Sequence, residues 1–182
     1  MRPVDLTVHC RVLVPADRLR YSPGSLVVVV SASHAERDRF LKRLIEDRSS
    51  LLSLDKVKTL LAGRVDEQEL DARAEELLRA AVSKRLESKE TVVIAADGLT
   101  AGERESFVRM AAALKRPRHL ILLETAREHV RDEDLAALNE LRRALDAGEL
   151  GGEGFQTALR LGGGSGDEVK RILFRPPPRE DD

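Results

Sequence analysis

Three short apolar runs constrain this chain more than any other feature: LVVVV at 26–30, TVVIAA at 91–96 and HLILLE at 119–124. Each has the length of one strand, is rich in β-branched residues or Leu, and does not alternate with polar residues. A strand with one wet face alternates, whereas a strand covered on both faces reads as a continuous apolar run, as in a parallel sheet. Helix-favouring segments lie between the runs, over 34–47, about 66–88, 101–115 and roughly 126–147. In the second of these, Leu70, Ala74, Leu77, Ala81 and Leu86 recur near helical spacing. The alternation predicts an α/β fold in three layers, a doubly wound and mainly parallel sheet with right-handed crossovers. A strand around 5–14 is expected at one sheet edge. Near the C-terminus, FQTALRL and VKRILF flank GGGSGDE and read as two strands joined by a loop. Residues 1–175 read as one domain, and 176–182 as an extended or disordered tail.

Composition narrows the class. The chain has 182 residues, 42% of them hydrophobic and 35% charged, which fits a soluble globular protein and excludes wholesale disorder. Its net charge is −1, so no strong field gathers nucleic acid. One Tyr, four Phe and no Trp leave few rings to stack on bases. A nucleic-acid partner is therefore not expected. The single cysteine, Cys10, excludes an intramolecular disulfide and reads as a buried strand residue, and the four histidines lack the spacing of a zinc helix motif. No metal site is expected. MRPVDLTVHCRVLVP alternates instead of forming a signal-peptide core, and no run reaches membrane-spanning length. The expectation is a cytoplasmic protein without a membrane partner.

In SLVVVVSASHAERDRF, residues 25–40, the first apolar run enters a polar, helix-favouring stretch. A P-loop protein places G-x-x-x-x-G-K-[ST] there, with glycines for close backbone approach, a lysine for the phosphates and a hydroxyl for Mg²⁺. Here the eight positions read Ser31, Ala32, Ser33, His34, Ala35, Glu36, Arg37, Asp38. Glu36 replaces the second glycine and Asp38 replaces the Ser or Thr. Two unit charges about 4 Å apart at an effective dielectric near 20 interact by about 4 kcal/mol, so two carboxylates oppose a triphosphate. Arg37 keeps a positive charge at the lysine position. Ser33, Arg37 and the later Arg131 are the phosphate-binding candidates of this degenerate loop. The same letters also form a capping box, Ser33-x-x-Glu36, which makes the stretch an ordinary strand followed by a capped helix. An unusual nucleotide site and a small-anion site at the helix start remain the alternatives.

The ordered set SLVVVVSASHAERDRFLKRL, LSLDKVKTLLAG and RLESKETVVIAADGLTAGERESFVRMAAAL resembles the kinase domain of bacterial polynucleotide kinase-phosphatases over most of residues 25–124. A weaker echo follows in LNELRRALDAGELGGEGFQTALRL. The resemblance implies a P-loop NTPase fold of the small-kinase type. It also implies transfer of the γ-phosphate of ATP to a 5′-hydroxyl of nucleic acid, with Mg²⁺. Carried over by position, Asp55 matches the general base and Lys58 matches a substrate-holding arginine. Ala95 and Gly98 stand where the family has an acidic residue and an Asn, Asp97 comes two places late, and Arg104 matches a helix arginine. Arg127 and Arg131 are what remains of an arginine-rich lid. Plainer roles fit these residues too. Asp55 suits the start of a helix at 55–62, Lys58 a solvated helix face, and His34 an exposed position. Thr100-x-x-Glu103 reads as a second capping box, Asp66-x-x-Glu69 starts a helix in a related way, and EHVRDED reads as an exposed charged face.

Two functions follow. The first is a catalytically inactive P-loop kinase-like protein that regulates or scaffolds a protein partner, either an active related chain or itself, with no cofactor. The second is a divergent ATP-dependent phosphotransferase acting on a hydroxyl of a nucleic acid or nucleoside. In that case Asp55 is the base, Arg37 and Arg131 neutralise phosphate, and Asp97 or Asp38 holds Mg²⁺. Phosphoryl transfer depends on positioning and electrostatics from loop, strand-end acid and lid together, and all three are eroded here.

Overall fold

The computed structural model describes residues 7–96, 98–162 and 165–175. The central strand is β3 (Leu26–Val30), flanked by β5 (Val92–Ala96) and β6 (Arg118–Leu123). These strands form from the three apolar runs, and every residue of the three strands is buried. Beyond β5 lies β4 (Leu51–Ser53). Beyond β6 come β7 (Thr157–Leu161) and then β1 (Arg11–Leu13), giving the order β1-β7-β6-β3-β5-β4, parallel throughout. The expected edge strand exists, shortened to three residues, and Cys10 is buried just before it.

Handedness places the helices. From β3 the chain moves outward through α1 (His34–Leu44) to β4, which leads directly into α2 (Leu54–Leu61). It then reverses, through α3 (Leu70–Glu87) to β5, α4 (Ala101–Ala113) to β6 and α5 (Leu135–Asp146) to β7. Right-handed crossovers running in opposite directions fall on opposite faces of a sheet. Accordingly α3, α4 and α5 pack together on Val28, Val30, Ile94, Leu120 and Leu122. Phe40, Leu41 and Leu44 of α1 pack on Val27, Val29, Val93, Ala95 and Ile121. Successive residues of one strand thus serve separate cores, as the twofold period of a strand requires.

The α1 face has a further component. β2 (Arg18–Tyr21) pairs in parallel with β8 (Arg171–Phe174), placing Leu19, Tyr21 and Ile172 in that core. The two C-terminal strands are therefore present but do not pair with each other: β7 belongs to the main sheet and β8 to this ribbon, with α6 (Ser165–Glu168) between them. The helix expected over 126–147 begins only at Leu135, after two 3₁₀ turns at Arg127–His129 and Asp132–Asp134. The tail at 176–182 lies outside the described residues.

Candidate functional site

Ligands of open α/β sheets bind beyond the carboxyl ends of the strands, where neighbouring connections diverge. In this chain that place is the junction between β3 and α1. β3 ends at Val30 and α1 starts at His34, leaving Ser31, Ala32 and Ser33 as the connector. The last five positions of the P-loop-like octet, 34–38, are therefore already helix.

Three backbone donors at this junction are engaged within the chain. Ser33 N–H donates to Ser31 Oγ (3.2 Å), Glu36 N–H to Ser33 Oγ (3.3 Å) and Arg37 N–H to the Ser33 carbonyl (3.0 Å). Ser33 is thus the N-cap, as its spacing predicts, with its hydroxyl turned to the helix. The reciprocal half of the capping box is replaced. The Glu36 carboxylate meets His129 Nδ1 at 3.1 Å, and the Ser33 N–H uses Ser31 instead.

Arg37 is 1% exposed. Its Nη1 donates to the Ala96 carbonyl at the end of β5 (2.9 Å) and its Nε to Asp38 Oδ1 (3.1 Å). The cation at the lysine position thus pins α1 to the neighbouring strand, and Asp38 neutralises it.

At the next strand-to-helix turn, Ser53 caps α2 by accepting from Lys56 N–H (3.1 Å). Asp55 is consequently not the cap. It sits exposed in the first helical turn and lines a cavity of about 270 Å³ together with Arg37, Glu75 and Glu103. Lys58 points elsewhere and pairs with Asp71 of α3 at 3.0 Å. Of the five residues singled out from sequence, Arg37 and Asp55 meet at one cavity, whereas Ser33, Lys58 and Arg131 do not line it. Arg131 is 71% exposed and pairs with Glu133 and Asp134 of its own turn. Asp97 lies outside the described residues.

Arg104 has a structural task. It is buried, donates Nε and Nη2 to Glu153 (3.0 and 2.8 Å), and donates Nη1 to the Gly98 carbonyl (2.6 Å). A Cβ at Gly98 would stand 2.9 Å from Arg104 Cγ, so an Asn at that position would require this arginine to move. Thr100 occupies the N-cap position of α4 without a side-chain cap bond, and Glu69 precedes α3 likewise. Neither of those two spacings forms a side-chain cap.

A second cavity, about 640 Å³, opens beyond β6 and β7 and is lined by Glu36, Arg39, Phe40, Arg43, Glu124 and Thr125, among others. Sequence reasoning missed it, although HLILLE carries its signal, a carboxylate ending an apolar strand. Burial pushes the Glu124 carboxyl up, but hydrogen bonds and charge from Arg142 and Arg160 outweigh that and hold it below its ordinary range. Arg142 binds it in a fork (2.8 and 2.5 Å), and Arg160 adds a third bond at 3.0 Å. Among the described residues no group of three or more His, Cys, Asp or Glu is placed to hold a metal ion, and no helix is long and apolar enough to cross a membrane.

The parallel order, the crossovers and the short helical segment after β3 define a P-loop kinase-like α/β fold. The model of one family, described as an AAA domain (AAA_33), matches residues 30–137, more than half of the chain. The chain belongs to this family. No curated protein matches it in sequence. Among solved structures, a candidate kinase from Chloroflexus aurantiacus is similar at 16% identity, covering 88% of this chain and 93% of its own, with a TM-score of 0.48.

Proposed function

We propose that this protein is a catalytically inactive member of the P-loop kinase-like proteins, which acts in the cytoplasm by binding a protein partner. One observation carries the reading: three N–H groups around the start of α1 are engaged within the chain, and Arg37 is buried against Ala96 and Asp38. A phosphate cradle needs converging, unengaged amides and a mobile cation. The sequence resemblance to polynucleotide kinases supports descent from an active enzyme. The partner is an active related chain or a second copy, and no cofactor is required.

One feature favours the alternative, a divergent phosphotransferase acting on a hydroxyl of a nucleic acid or nucleoside with ATP and Mg²⁺. Asp55 lines the same cavity as Arg37, where a general base would face an acceptor. Arg37 and Arg131 would then meet phosphate and Asp97 or Asp38 would hold Mg²⁺, yet Asp38 pairs with Arg37 and Arg131 with its own turn.

Titrating Mg·ATP and Mg·GTP while following thermal unfolding separates the two. A ligand at 100 Kd adds about 2.7 kcal/mol, a rise of roughly 5 °C or more for a chain of this size. The expected result is no rise with either nucleotide, and recovery of one protein partner from native extract. A clear rise with nucleotide, together with phosphate transfer abolished by Asp55→Asn, would overturn the inactive reading.

A further inference from the structure

The outer side of the α2–α3 helix pair combines uncovered apolar surface with unpaired charges. Among the described residues four large hydrophobic side chains are exposed, and two of them lie here: Leu77 of α3 at 46% and Leu60 of α2 at 62%. Leu77 lines an open groove of about 630 Å³ together with Leu61, Val65, Arg64, Arg73 and Glu76, among others. At about 100° per residue, α3 turns Ala74, Leu78, Val82 and Leu86 into the core. The strip on its opposite side, extended by one residue to the N-cap, carries Glu69, Arg73, Glu76, Leu77, Ala80 and Lys84. The side chains of Glu69, Arg73, Glu76 and Lys84 have no ion pair or hydrogen bond among the described residues. By contrast Asp71, Glu75, Arg79 and Arg85, elsewhere on the same helix, are all paired.

This strip complements itself when read backwards. About the midpoint between Glu76 and Leu77, Glu69 stands opposite Lys84 and Arg73 opposite Ala80. Suppose two copies of α3 pack antiparallel around a twofold axis at that midpoint. Each Glu69 then meets Lys84 of the second copy. Each Arg73 passes over the small Ala80 of the second copy to reach its Glu76, one turn away, and the two Leu77 side chains close the seam at the axis. Apolar residues on the seam with opposite charges beside it are what paired helices use, and a twofold contact needs one patch that fits itself. A partner of a single sign, such as a nucleic acid or an acidic segment, meets repulsion from half of the strip. We infer that the outer α2–α3 surface binds a second copy of this chain in a twofold, antiparallel contact. This rests on the proposed function only in taking the partner to be a protein, and it selects the second copy. The helix has 18 residues, a length of about 27 Å. A contact of that size lies at the low end of specific interfaces and predicts a reversible dimer with a Kd on the order of 10 μM.

Sedimentation equilibrium of the full chain at low salt, across about 1–500 μM to bracket that Kd, tests the contact. A monomer–dimer equilibrium is expected. Leu77→Asp, which places two carboxylates at the axis, should leave the chain monomeric throughout. Val14→Asp, at an 82% exposed apolar position outside this surface, should leave the dimer unchanged. Arg73→Glu and Glu76→Arg should each weaken self-association about tenfold, because two attractive pairs become repulsive. An equal mixture of these two variants should recover association, since each copy then presents the sign that the other lacks. The substituted positions are exposed, so thermal unfolding at dilution should match the parent and separates lost association from lost folding. A chain that stays monomeric, a dimer that survives Leu77→Asp or is lost in Val14→Asp, or no recovery on mixing would each overturn the assignment. A monomer would leave the catalytically inactive reading standing, whereas nucleotide binding by the dimer would overturn that reading and leave this contact intact.

Discussion

The β3–α1 and β4–α2 junctions are built alike and leave different chemistry behind. Each turns a strand into a helix at a serine whose hydroxyl takes a backbone N–H: Ser33 from Glu36 (3.3 Å) and Ser53 from Lys56 (3.1 Å). Each carries acidic residues in the following helix. At the first junction those acids have partners within the chain, Asp38 the Arg37 guanidinium and Glu36 the His129 ring at 3.1 Å. At the second, Asp55 lacks such a partner among the described residues and faces a cavity. The difference lies in what surrounds the cap, not in the cap itself. A junction whose charges are closed on one another serves the fold, whereas one with an open charge is available to a ligand.

Four measurements can break or sharpen this contrast. The largest effect should come from Arg37→Met. It removes a buried guanidinium and leaves the Ala96 carbonyl without this donor and Asp38 without its cation. Loss of a buried, hydrogen-bonded charge costs about 3 kcal/mol or more, read as a lower urea midpoint. A cost below about 1 kcal/mol would mean that the first junction is as open as the second.

Next comes a background that both junctions share. Burial first, then Arg118 and Arg11, hold the His119 imidazole down to about 4. Its ring lies 4.8 Å from that of Tyr21, and its Nδ1 is 2.7 Å from Thr157 Oγ1. A group protonated more readily unfolded than folded binds more protons in the unfolded state. Stability therefore rises with pH across the window between the two values and is lost as pH falls from about 6.5 to about 4. The full swing is of order 3 kcal/mol. His119→Gln should flatten that part of the pH–stability curve, so that the acid response left over reports carboxylates. An unchanged slope would show that the histidine is not the source.

Ser33→Ala and Ser53→Ala should each cost about 1 kcal/mol by chemical denaturation, the usual value of an N-cap. Near-equal costs support the claim that the caps are equivalent, and a difference above about 1 kcal/mol breaks it. The smallest effect belongs to Asp55→Asn, whose stability should stay within about 0.5 kcal/mol of the parent, because the carboxylate is exposed and Ser53 already caps the helix.

How far the sequence could be read follows the reach of each interaction. β3, β5 and β6 were legible because burial on both faces writes itself into consecutive residues. β4 was not, since three half-buried residues carry too short a pattern. β2 was missed because its partner β8 lies some 150 positions away, and RLRY reads alone as a polar segment. The Ser33 cap is local and legible. The apparent boxes at Thr100 and Asp66 show that spacing permits a cap without making one. In the candidate site, the position of Asp55 at a helix start was legible. The burial of Arg37 was not, because it depends on a carbonyl 59 residues away. Lys58 and Arg131 carry the right charge, but each is matched to a nearby acid that no single-strand motif specifies.

The three-residue connector between Val30 and His34 has a consequence for anyone wishing to write a standard glycine-rich phosphate loop into this scaffold. Writing glycine, lysine and threonine over positions 36–38 would only decorate a helix whose first turn has already closed. Fitting such a loop here is a matter of insertion: the chain must be lengthened ahead of that turn before any exchange of letters can matter.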